Sequence, residues 1–145
     1  MQICNDSKHC ILGEFPTLAE VKAAYGQNAP VAWMIPQLYS LSEYCGCRDK
    51  LQGKPLEECA FVISSEFYYL KVSEIMLFIH MFKSGKYGRF YGSVDPLVIT
   101  TSLREFLNER LYIIRNYEQE QREKERENAK KGAITLEEYR RMKKD

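Results

Sequence analysis

Residues 56–82 read LEECAFVISSEFYYLKVSEIMLFIHMF, and their spacing decides the fold class. Leu56, Cys59, Ala60, Ile63, Phe67 and Leu70 recur at three- and four-residue intervals, which puts them on one stripe of an α-helix. Phe61, Val62, Tyr68 and Tyr69 widen that stripe, so the helix is expected to be central and buried on more than one side. Val72, Ile75, Met76, Ile79 and Phe82 carry a helical pattern on to Ser84-Gly85. Lys71 stands between the runs, either as a bend between two helices or as one position in a continuous rod. Ser64, Ser65, Glu66, Lys71, Ser73, Glu74 and His80 lie in the same stretch. Charges in a hydrocarbon core cost several kcal/mol each, so a membrane span is excluded.

Upstream, Thr17-x-x-Glu20 reads as a capping box opening a short helix that ends at Gly26, with Leu18, Val21 and Tyr25 on one face. Pro30 suits the first turn of a second helix, whose apolar positions Val31, Met34, Ile35, Leu38, Leu41 and Tyr44 run to Gly46. Pro36 lies inside it and is expected to kink or split it. Trp33 is expected in the core. Residues 1–14 show little periodicity and read as a loosely held N-terminal arm.

Downstream, Asp95-Pro96 supplies an N-cap followed by proline at the first helical position. Ile99, Leu103, Phe106, Leu107, Leu111, Ile113, Ile114 and Tyr117 are the apolar side of that helix. Residues 118–131 alternate Glu with Arg and Lys and cannot bury a face, so they read as a charged helical extension. Gly132 breaks the rod, and Thr135-Leu136-Glu137-Glu138 is a second capping box that starts a short C-terminal helix over 132–145. No segment alternates as a strand does. The expectation is all-α: a compact helical bundle over 15–117, followed by a long charged helix and a short one. Phe67, Leu70, Ile75, Ile79, Leu103 and Phe106 are expected among its most buried side chains.

With 145 residues, the chain has room for one domain of ordinary size. Lys and Arg total 21 against 20 Asp and Glu, so no global basic field draws it to nucleic acid or anionic lipid. Residues 1–12 lack a basic segment leading into an apolar core, so no signal peptide is read. A cytoplasmic protein with five reduced cysteines, Cys4, Cys10, Cys45, Cys47 and Cys59, is the expectation. Cys45 and Cys47 are one residue apart and lack the spacing of a structural zinc site, and the Cys4, His9, Cys10 cluster brings no second pair. No metal and no cofactor are expected. The Glu57/Glu58, Glu137/Glu138 and Glu66/Glu74 pairs read as solvated charge, and His9 and His80 share no neighbourhood in sequence. No nucleophile elbow, phosphate loop or zinc-protease motif occurs. No catalytic residue is assigned; the reading is not an enzyme.

The segment 83–95 is KSGKYGRFYGSVD, three glycines among three aromatics and three basic residues. Tyr87, Phe90 and Tyr91 would serve as a stacking platform for unpaired bases, with Lys83, Lys86 and Arg89 on phosphates. The structural alternative is a tight interhelical loop whose aromatics plug the end of the bundle.

The run from Ser65 to Glu74, continuing through Phe82-Lys83-Ser84-Gly85-Lys86-Tyr87-Gly88-Arg89-Phe90-Tyr91-Gly92 to Asp95-Pro96 and Phe106-Leu107-Asn108-Glu109-Arg110, resembles a family of small uncharacterised proteins of phages and mobile elements. Pro16-Thr17-Leu18 and Lys22…Tyr25-Gly26 extend the resemblance to residues 15–112. In layout that family is similar to phage replicative-helicase loaders, helical domains with a C-terminal segment that engages a hexameric helicase. The resemblance implies an adaptor acting in replication of a phage or mobile element, with a replicative helicase as its larger partner. Ile134, Leu136, Tyr139, Arg140 and Met142 are the partner-binding candidates, on a helix too short to be stable alone. The rivals are a single-strand nucleic-acid module using Lys83–Gly92, and an inhibitor that blocks a host enzyme; a homodimer through the last helix is also open.

Overall fold

The structure is a computed structural model describing residues 6–144, with backbone alone at 133–135 and 144. Among the described residues six helices and no strands form, so the fold is all-α: α1 (Ser7–Leu12), α2 (Leu18–Tyr25), α3 (Ala29–Cys45), α4 (Gly53–Glu66), α5 (Val72–Lys83) and α6 (Pro96–Lys144). The chain divides into two units, Met1–Glu109 and Arg110–Asp145.

Start signals in the sequence become starts in the first unit. The Thr17 hydroxyl accepts from the Glu20 N–H at 3.1 Å, and Asp95 Oδ1 accepts from the Leu97 N–H at 2.9 Å. Gly46 closes α3 at φ 64°, a left-handed conformation that favours glycine. Pro36 is carried inside α3, which is not split. Between α4 and α5 the chain breaks at Phe67–Lys71, and Leu18 and Ala19 donate backbone bonds to Leu70 and Tyr68 across that break.

The core lies where α3, α4 and α5 pack together, with α2 against α3 and α1 against α5. Leu56, Cys59, Ala60, Ile63, Phe67 and Leu70 are all buried, as their spacing predicts. So are Ile75, Ile79, Leu103 and Phe106. Phe78 ties α5 to α6 through an edge-on contact with Phe106, ring centroids 5.9 Å apart.

Four expectations about the helices and their burial fail. Phe61, Val62, Tyr68 and Tyr69 are exposed, because α4 buries a single stripe and the Phe67–Leu70 turn sends its two middle rings outward. Trp33 is half-buried rather than in the core. The N-terminal arm contains a capped helix with Cys10 and Ile11 buried. Its last carbonyls are claimed from far along the chain: Lys71 Nζ donates to Ile11 O and Gly13 O at 2.7 and 2.9 Å, and Ser73 Oγ to Cys10 O at 2.7 Å. A cation and a hydroxyl there satisfy carbonyls that a helix end leaves unpaired. Beneath them Glu74 is fully buried and accepts from the Lys71 N–H at 3.2 Å. The last correction is at Gly132, which lies inside α6 and does not end it. A single glycine costs a helix only about 1 kcal/mol, which the good helix formers around it absorb.

Candidate interaction surface

In the second unit, α6 continues from Arg110 through a stretch of alternating Glu, Arg and Lys whose side chains are almost all exposed. At 3.6 residues per turn, positions three apart are neighbours on a helix surface, so Leu136, Tyr139 and Met142 fall on one side of its last turns. They are 61%, 60% and 80% exposed. Lys143 Nζ stands 5.7 Å from the centre of the Tyr139 ring, and Arg140 is exposed beside it. The Ile134 side chain lies outside the described residues. Leu111 and Tyr117, at the other end of the same unit, are each 44% exposed, and Ile113 and Ile114 are half-buried. This segment carries apolar side chains at both ends and buries none of the described ones. Its chemistry is that of a surface for another apolar face.

The Lys83–Gly92 loop is built differently. Gly85, Gly88 and Gly92 all have positive φ and turn the chain sharply. That turn drives Tyr87 and Phe90 back onto the bundle: Phe90 stacks on Phe82 at 5.3 Å and 20°, and Tyr87 lies 5.5 Å from Phe78. The Tyr87 hydroxyl donates to Met81 Sδ, and burial with the Glu109 and Glu105 carboxylates pushes its pKa well above the ordinary phenol value. Lys83 donates to Ser40 Oγ at 2.8 Å, and Lys86 forms a 2.6 Å ion pair with Glu109. A parallel bridge of Asp49 with Ser93 pins the far end of the loop. Of the six residues suggested for nucleic acid, Lys86, Arg89 and Tyr91 are exposed, Tyr91 at 85%, and Lys83, Tyr87 and Phe90 are half-buried. Two of the three rings plug the bundle end.

Cys45, Cys47 and Cys59 are free thiols. Cys10 is disulfide-bonded, which departs from the expectation of five reduced thiols. Burial raises the Cys59 pKa to about 11, so it is a protonated core residue rather than a nucleophile. Among the described residues no three His, Cys, Asp or Glu side chains gather as a metal site would require. Among the described residues no helix is long and apolar enough to cross a membrane. A cleft of about 390 Å³ opens beside α2, α3 and α4, where Lys22, Asn28, Phe61 and Tyr68 surround the buried Ser64 hydroxyl, which has no hydrogen-bond partner. The spacing of residues 56–70 held a signal for the exposure of Phe61, since it falls off the stripe. The anchoring role of Lys71 had none, because its acceptors lie about 60 positions away.

No curated protein and no solved structure gives a significant match to the chain. A family model does match, over residues 52–145, which takes in α4, α5, the glycine–aromatic loop and the whole of α6. On that match, which spans more than half its length, the chain belongs to a family of unknown function, DUF6633.

Proposed function

We propose that this protein is a non-enzymatic interaction module: a helical core that carries α6, whose outer half docks on another protein through Leu136, Tyr139 and Met142. The observation that carries this reading is the exposure of those three residues on one side of a helix. Burying such side chains against a partner is worth about 1.5–3 kcal/mol each, enough for a helix-in-groove contact. Arg140 and Lys143 flank them and favour an acidic rim on the partner. The resemblance to proteins of phages and mobile elements points to a replication accessory role, with a replicative helicase as the first partner to try. The test is binding of the full chain and of a Leu136→Ala, Tyr139→Ala, Met142→Ala variant to the host's hexameric helicase and, in parallel, to host lysate. Retention of a protein by the wild type and its loss from the variant, at unchanged circular dichroism, is the expected result. Equal retention by both, or by neither, ends the reading.

A further inference from the structure

We infer that the cleft between α2, the start of α3 and α4 is a binding site for a small aromatic anion, a flat ring carrying one carboxylate or phosphate. The cleft lies wholly within the first unit and is independent of the docking surface on the outer half of α6.

The walls supply the ring contacts. At about 390 Å³ the cleft has the size of a small-ligand site, and like one it sets a few polar groups among apolar walls. Phe61 and Tyr68 stand 62% and 57% exposed along it, above the buried Leu18 and Pro30. Tyr69 packs edge-on against Tyr68, ring centroids 5.5 Å apart, and backs that ring. Two large rings left open beside a cleft offer their faces to a flat ligand, whose burial covers them in turn.

The polar groups choose an anion. Among the described residues that line the cleft, Lys22 is the only charged side chain, and its ammonium has no ion pair or hydrogen bond among them. Asn28 stands at the N-cap of α3 without a side-chain bond to the helix, and Pro30 has no N–H to give. The Val31 N–H has no acceptor among the described residues. The positive end of a 17-residue helix therefore reaches the cleft with a donor unused. Ser64 is the independent observation. Its hydroxyl is buried and has no hydrogen-bond partner among the described residues. Such a group destabilises the free protein, and alanine would suit the middle of α4 better. Ser64 lines the cleft, and rotation about its one χ1 bond is the motion that brings the hydroxyl to a ligand. A bound anion gives that hydroxyl, the Lys22 ammonium and the Val31 N–H the acceptor they lack.

The test is a two-dimensional amide NMR titration of the full chain with adenosine monophosphate, phenylpyruvate, adenosine and inorganic phosphate. Binding in the cleft shifts the amides of residues 18–31 and 61–68. An aromatic anion is expected to do so with a dissociation constant of about 1 mM or tighter, and the tighter of the two says whether a nucleotide or an aromatic acid is the source. Adenosine and inorganic phosphate each lack half of the required chemistry and should bind at least about tenfold more weakly. Lys22→Gln is an exposed change that should weaken the aromatic anion about tenfold, as should the paired change Phe61→Leu, Tyr68→Leu. Ser64→Ala has the sharper signature. It should raise the melting temperature of the free protein and weaken the anion about fivefold, opposite signs that a merely structural serine does not give. If neither aromatic anion moves these amides at about 5 mM, the inference is overturned. Binding that is unchanged in both Lys22→Gln and Ser64→Ala overturns it too, because the ligand then sits elsewhere.

Discussion

Lys71 is the residue on which the N-terminal helix depends. Its ammonium reaches two carbonyls at the end of α1, at 2.7 and 2.9 Å, from a half-buried position at the start of α5. Replacing it with Met keeps the aliphatic stem and removes both bonds, which isolates the charge from the packing. Lys71→Met is expected to cost about 1.5–3 kcal/mol in urea unfolding, with an unchanged slope on denaturant. Cys59 gives a second prediction. Burial raises its thiol to about 11 from the usual 9.0, so the folded state holds the proton after the unfolded chain has lost it. The stabilisation is fully present below the usual thiol value and is lost as the pH rises through it towards about 11. Stability curves between those pH values should fall for the wild type and fall less steeply for Cys59→Ala, on whatever baseline the smaller side chain sets.

At the scale of the element, α6 joins two kinds of helix in one backbone. Its first turns bury Ile99, Leu103 and Phe106 and owe their order to that packing. Its outer turns are held by local propensity and by Glu–Lys and Glu–Arg neighbours, terms of a few tenths of a kcal/mol each. Gly132 is the weakest position there: it is helical, its surroundings are open and it has no side chain to contribute. Gly132→Ala should stabilise the outer helix by about 0.5–1 kcal/mol, read as slower amide exchange in residues 128–140 at low protein concentration. Faster exchange there would mean that glycine serves a backbone bend.

At the scale of the whole molecule, the two units differ in what holds them. Met1–Glu109 has a core of buried Leu, Ile and Phe crossed by the Phe78, Phe82 and Tyr87 cluster. Arg110–Asp145 is a helix with polar side chains over most of its described length. Amide exchange should divide the same way. The amides of α5 should open only with global unfolding, and those of 118–131 should exchange at least about a hundredfold faster, followed by mass spectrometry in dilute protein. Uniform protection along α6 would place the outer helix within the cooperative core.

Helix identity and the main core stripe were legible in the sequence because both are periodic. The 56–70 stripe, the Thr17 and Asp95 starts and the Gly46 stop each follow from neighbours within four positions. So did the candidate face, since Leu136, Tyr139 and Met142 repeat at helical spacing. What lay beyond reach was whatever depends on partners far along the chain. The arm of residues 1–14 looked loose because its cover is supplied by Lys71 and Ser73, and the rings of Tyr68 and Tyr69 looked like core because nothing local tells the inner side of a turn from the outer. The glycine–aromatic loop was ambiguous for the same reason. Tyr87, Phe90 and Tyr91 are alike in sequence, and only the turns at Gly85, Gly88 and Gly92 decide that two rings pack half-buried on the end of the bundle and one faces water. Periodicity belongs to the chain, and burial belongs to the fold.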